Sequence, residues 1–194
     1  MKLNFRRVVI LLLLIGLSVT FGATFDAVAD RVERHRYPKP ERYTETVSAY
    51  AARYGVPEAV IWAIVRTESN FESSARREDG STGLMQLTPE QFADISARLL
   101  HGESADPGLL YDPDTNLRAG CALLSDLYAR YGVWDAVYLA WHSGTTQTDL
   151  WMSDPACVND LGIPVRVPDA DASSFLSRVK KTERMYAKLY YDSK

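Results

Sequence analysis

Pro57-Glu58-Ala59-Val60-Ile61-Trp62-Ala63-Ile64-Val65-Arg66-Thr67-Glu68-Ser69 is the stretch that decides the fold class of this chain. Val60, Ile61, Ile64 and Val65 recur at helical spacing, with Pro57 where a first helical residue stands. Glu68 lies seven residues after Ile61, four after Ile64 and three after Val65, so it falls on the same apolar stripe. A carboxylate there is poorly hydrated. It also sits in the last turn, where the helix dipole disfavours an anion. Both effects push its pKa upward. A glutamate protonated near neutral pH is what a general acid needs. Periodicity leaves a second reading open, in which the stripe ends one turn early and Glu68 is a solvated helix end.

Helices flank this stretch on both sides. Upstream, Tyr43, Val47, Tyr50, Ala51 and Tyr54 predict a helix from Glu41 that ends at Gly55. Downstream, Thr88-Pro89-Glu90-Gln91 is a capping box with proline in the first turn, opening a helix to about Leu100. Asp112-Pro113 opens another through Leu117, Cys121, Leu124 and Tyr128 to Gly132. A short helix covers Trp134 to His142, closed by Gly144. The last starts near Ala172 and carries Phe175, Leu176, Val179, Tyr186 and Leu189. The segment Gly80 to Leu87 has room for a small hairpin. The expected fold is mostly α, a single multi-helix domain over residues 41–194.

The beginning of the chain reads differently. Lys2, Arg6 and Arg7 precede an apolar run from Val8 to Phe21, the pattern of an export signal. Continued through Phe25, the run nears the roughly 18 residues that span a bilayer. Residues 1–29 are therefore expected to be a cleaved signal peptide or a membrane anchor, with Ala27-Val28-Ala29 a possible cleavage site. Positive charge before the run places the rest of the chain outside the cytoplasm. The charged, proline-punctuated residues 30–40 read as a linker.

Composition excludes several classes. The charge sum, 22 basic against 25 acidic residues, is −3 and gives no basic excess for nucleic acid. Three scattered histidines and two cysteines match no metal pattern, so no metal site is expected, and nothing in the sequence implies a cofactor. Cys121 and Cys157 are open to two readings, a disulfide permitted by an export address or two buried thiols.

After Glu68-Ser69 comes a polar segment and then Gly80-Ser81-Thr82-Gly83-Leu84-Met85-Gln86-Leu87. Its glycines permit tight turns and close backbone approach. Gln86 offers an amide suited to sugar hydroxyls or an acetamide. Met85 offers an adaptable apolar surface. Glu68-Ser69, Gly83-Leu84-Met85-Gln86 and Thr88-Pro89 together resemble the family 1 lytic transglycosylases, with their goose-type-lysozyme-like domain. The resemblance continues through Asp112-Pro113-Asp114-Thr115-Asn116, which is similar to the family's Asp-Pro-x-x-Asn helix start, and into Ala140-Trp141-His142-Ser143-Gly144. It covers about residues 44–190.

The resemblance implies a compact domain of the lysozyme-like α+β superfamily with a catalytic cleft. The implied substrate is the peptidoglycan glycan strand, cut between N-acetylmuramic acid and N-acetylglucosamine. Glu68 would be the single acid and base, closing a 1,6-anhydro ring with the muramic 6-hydroxyl, while the substrate's acetamide supplies the internal nucleophile. Ser69 would orient that acetamide or the Glu68 carboxylate. Gly83, Met85, Gln86, Trp141 and His142 would line the sugar site, Trp141 by stacking. All but Gly83 have a structural alternative: helix capping for Ser69 and His142, core packing for Met85 and Trp141, backbone bonding for Gln86. Three positions depart from the family's pattern: Trp141 stands for the usual Tyr, His142 for Asn and Phe175 for Tyr. Two other functions stay open, a lysozyme-type hydrolase with Glu72 or Asp79 as second carboxylate, and a non-catalytic glycan-binding scaffold of the cell envelope.

Overall fold

Local signals set most helix ends. The computed structural model describes residues 13–17, 28–102 and 104–192. The chain divides into two units, residues 1–38 and 39–194. In the first, residues 13–17 are helical, and α1 covers 28–36, most of the stretch read as a linker. Residues 1–12 and 18–27, on which most of the signal or anchor reading falls, lie outside the described residues. Among the described residues no helix is long and apolar enough to cross a membrane.

In the second unit, α2 spans Glu41–Tyr54 and stops where Gly55 turns left-handed at φ 67°. Helix α3 spans Glu58–Ser69 and ends on Asn70, also left-handed. Helix α4, Pro89–Arg98, carries the full capping box: Thr88 accepts from the Gln91 N–H while the Gln91 side chain accepts from the Thr88 N–H. A 3₁₀ turn at Pro107–Tyr111 leads to α5, Pro113–Tyr131, whose N-cap Asp112 accepts from the Thr115 N–H. Then come α6 at Trp134–Ser143, α7 at Thr145–Ser153 and α8 at Ala170–Tyr186, followed by a π turn over Ala187–Tyr191.

Helix α3 is the centre of the core. All seven residues from Ala59 to Val65 are buried, so the expected stripe is in fact an all-round apolar surface. Burying Val60, Ile61, Trp62 and Ile64, which have no exposed surface, stabilises the fold by about 1.5–3 kcal/mol each. Helix α3 packs against α2 and α8, α6 against α5, α7 and α8, and α4 against α5. Helix α8 thus touches both α3 and α6, the two helices that carry the site.

One expectation is corrected, and one helix is added to those read from the sequence. The hairpin at Gly80–Leu87 is reduced to single bridges, Arg76 with Thr82 and Thr82 with Leu87. Positive φ at Gly80, Gly83 and Gln86 turns the chain too often for paired strands. Helix α7 went unanticipated. Three of its nine residues are threonines, which are poor helix formers, and only Thr148 and Trp151 are buried. Both cysteines are free and buried.

Candidate active site

The site starts at the C-terminal end of α3. Glu68 is in the last turn, and its side chain is only 6% exposed. Two groups hold its carboxylate. The indole Nε1 of Trp141, from α6, donates to Oε1 at 3.0 Å. The guanidinium of Arg77, from the loop after α3, lies 2.8 Å from Oε2. Arg77 also donates to the backbone carbonyl of Glu68 at 2.8 Å, which satisfies one of the open carbonyls at the helix end. Burial raises the Glu68 pKa. Arg77, the Trp141 hydrogen bond and the nearby His142 pull it down, and burial prevails.

The other sequence-predicted residues divide between the carboxylate and the scaffold behind it. Trp141 is 7% exposed, and its N–H is spent on Glu68. The Ser69 hydroxyl lies 2.7 Å from the Leu84 carbonyl and 3.1 Å from that of Val65, so it ties α3 to the loop and away from the Glu68 carboxylate. The Gln86 amide donates to the carbonyls of Gly83 and Ala75 at 2.7 and 3.0 Å, and its Oε1 accepts from Ser81 at 3.2 Å. Met85 is fully buried, packed so closely on α5 that a Cβ at Gly120 would lie 2.2 Å from its sulfur. Gly83 is required twice over. Its φ is 82°, and a Cβ there would meet the Leu110 carbonyl at 2.2 Å and the Asn116 amide at 2.3 Å.

His142 lies on the other side of Trp141. Its ring stacks on Phe175 of α8 with centroids 4.5 Å apart and planes at 14°. Its Nε2 is 3.3 Å from Oδ2 of Asp171. The two departures from the family pattern at 142 and 175 are therefore in contact, a flat ring pair in place of an amide and a phenol. Beside them is a cavity of about 540 Å³ lined by His142, Gln147, Trp151, Asp169 and Asp171 among others. Glu68 does not line it.

Glu72 and Asp79 are exposed. Each is committed to its own turn, Glu72 accepting from Ser74 and Asp79 from the Ser81 N–H, and these bonds hold both carboxyls below the usual range. Neither is joined to Glu68. Among the described residues no group of His, Cys, Asp and Glu could hold a metal ion.

Two residues were missed. Arg77 sits on an irregular loop, where no periodicity marks it, and only its nearness in sequence to an acid could have drawn notice. Asn116 closes the Asp-Pro-x-x-Asn motif, which by itself assigns it no role. It is fully buried, its Oδ1 accepts from the Met85 N–H at 2.8 Å, and its Nδ2 donates to the carbonyls of Thr82 and Leu110 at 2.9 and 3.0 Å. It fixes the Gly83–Gln86 turn against α5.

Fold and site define a helical domain that buries one carboxyl at the end of its core helix and clamps a Gly-Leu-Met-Gln turn beside it. The chain belongs to the Transglycosylase SLT domain family, whose model matches residues 45–158. It is 36% identical over 118 residues to membrane-bound lytic murein transglycosylase C of Yersinia pestis (strain Pestoides F), which covers 60% of this chain and 32% of that protein. The chain thus spans about a third of the length of the curated relatives it matches. An inactive variant of lytic transglycosylase Slt from Pseudomonas aeruginosa matches with TM-score 0.68 and 26% identity over 80% of this chain and 25% of its own. The 70-kDa soluble lytic transglycosylase of Escherichia coli shares the fold, with TM-score 0.75 and 22% identity over 82% of this chain and 26% of its own.

Proposed function

We propose that the protein is a peptidoglycan lytic transglycosylase in which Glu68 serves first as acid and then as base. The observation that carries this reading is the state of Glu68. It is a carboxyl kept out of water, with its pKa raised, positioned by an indole N–H from a second helix. A carboxyl buried at such cost in a family of transglycosylases has a use.

The chemistry follows from one carboxyl. Protonated Glu68 gives its proton to the glycosidic oxygen as the bond from that oxygen to muramic C1 breaks. The acetamide carbonyl oxygen of the same sugar closes on C1. The Glu68 carboxylate then takes the proton of the 6-hydroxyl, whose oxygen displaces the acetamide and forms the 1,6-anhydro ring. Glu68 ends protonated, as it began. A conventional glycosidase needs a second carboxyl about 5–10 Å from the first. Glu72 and Asp79 are drawn off into their own turns, which weighs against the hydrolase.

Mass spectrometry of muropeptides released from purified peptidoglycan is expected to show anhydro-muramic ends. Reducing ends alone would sink the proposal in favour of a lysozyme, and binding without release would favour the scaffold.

We further propose that the apolar run at residues 8–21 holds the chain at the membrane with the domain outside the cytoplasm. The basic residues before the run support this, as does the membrane-bound name of the Yersinia relative. A reporter enzyme fused after Lys194 is expected to be active only in a form that requires export. Activity of a cytoplasm-only reporter would refute the topology.

A further inference from the structure

Both oxygens of the Glu68 carboxylate are occupied, Oε1 by the Trp141 N–H and Oε2 by Arg77. Each oxygen keeps a second lone pair, but a glycosidic oxygen approaches more freely once one donor has left, and the two are not equally able to leave. Trp141 is 7% exposed and wedged in α6. The Arg77 side chain is 49% exposed and stands on an irregular loop. Its main chain is pinned, the N–H donating to the Ser81 carbonyl at 3.0 Å and the carbonyl accepting from the Gly80 N–H at 3.1 Å. The side chain can therefore swing while the loop stays, giving up both the carboxylate and the Glu68 backbone carbonyl, to which the same guanidinium donates at 2.8 Å.

We propose that Arg77 is a positioning residue that latches Glu68, its guanidinium occupying the outer carboxylate oxygen in the substrate-free protein and turning out to solvent when a glycan strand binds. The inference rests on the reading of Glu68 as the acid. In the latched form the Arg77 cation offsets part of the effect of burial, so at a given pH less of Glu68 is protonated than without the cation. A strand that displaces the guanidinium leaves the carboxyl buried with the Trp141 N–H and His142 still beside it, and without the cation protonation is favoured further. The acid is thus fully armed only beneath substrate. The charged and titratable groups facing Glu68 are Arg77 from the loop and His142 from α6, the latter paired with Asp171 of α8. From α2, Arg42 reaches the Phe71 carbonyl just past the end of α3.

The test is the pH dependence of kcat/KM and kcat on peptidoglycan for the full chain and its Arg77→Gln and Arg77→Lys variants. The acid is protonated below its pKa, so activity falls as pH rises through it. Loss of the cation raises that pKa, and the alkaline limb of kcat/KM in Arg77→Gln is expected to move up by about one pH unit or more. Above the limb, kcat/KM then rises about tenfold. The kcat limb moves little, because in the bound state the latch is already open. Arg77→Lys keeps the charge and the wild-type limb. An unmoved kcat/KM limb in Arg77→Gln overturns the latch. So does a loss of activity that lysine restores, which would mean that the cation promotes the reaction. A ¹³C-NMR titration of Glu68 in the substrate-free protein reads the pairing directly: its pKa is expected to be higher in Arg77→Gln than in the wild type, and an equal value overturns the proposal. Full activity in Glu68→Gln would instead defeat the assignment of the acid. An inactive Glu68→Gln with an unmoved Arg77→Gln limb defeats only the latch.

Discussion

Glu68→Gln is expected to abolish turnover while leaving the fold intact, with kcat on peptidoglycan falling by about a thousandfold or more, as befits the loss of a group that acts as both acid and base. The amide has nearly the shape of the carboxyl and still accepts the Trp141 N–H, but it has no proton to transfer. Its effect on stability has a sign. Burial outweighs Arg77, Trp141 and His142, so the folded pKa of Glu68 lies above the ordinary value of 4.5. A carboxyl with a raised folded pKa contributes stability below its unfolded pKa and loses it as pH rises through the folded one. Glutamine does not titrate. The melting temperature of Glu68→Gln relative to wild type is therefore expected to climb between acid and neutral pH, and to equal or exceed wild type at neutrality. Arg77, half exposed, solvates when its partner is gone. Thermal melts across pH and a muropeptide-release assay check both halves. A variant that keeps a tenth of the activity removes Glu68 from the mechanism.

The helices were legible where their ends carry local chemistry. Gly55, the Thr88–Gln91 box, Asp112-Pro113, Gly132 and Gly144 each satisfy open backbone groups or supply a left-handed residue within one turn. Helix α7 has neither a side-chain cap nor a continuous apolar face, so nothing local announced it. Glu68 was legible because an acid out of place on an apolar face can be counted. The uses of its neighbours were not. A serine hydroxyl or a glutamine amide is chemically suited to a sugar and to a backbone carbonyl alike, and only geometry shows that Ser69 and Gln86 spend theirs on backbone. Arg77 depends on the path of a loop that has no period, and the stacking of His142 on Phe175 depends on two helices meeting.

Asn116, which anchors the Gly83–Gln86 turn on α5, should be sensitive to an introduced acid. Asn116 is buried and makes one accepting and two donating contacts, to the Met85 N–H and to the carbonyls of Thr82 and Leu110. Asn116→Ala leaves the Met85 N–H without this acceptor. The Thr82 carbonyl still receives the Leu87 N–H, so part of the loss is shared. A cost of about 2–4 kcal/mol is expected for the unpaired buried groups and the missing side chain. Asn116→Asp is nearly isosteric, yet at neutral pH it should be worse. It points an anion at two carbonyl oxygens about 3 Å away and has no proton to offer them. Protonated, it recovers one donor. Its folded pKa is thus raised above the unfolded value of about 3.9, and the stability it contributes is present in acid and lost as pH rises through the folded pKa. Denaturant melts should place Asn116→Asp below Asn116→Ala at pH 7, with the order closing or reversing on acidification. The Asn116→Ala deficit should stay flat. Because the Leu84 carbonyl accepts from Ser69 beside Glu68, both variants should also lose activity in step with their loss of stability. A gap between the two variants that does not depend on pH would show that the side chain of Asn116 does not face those carbonyls, and the loop would then need another anchor.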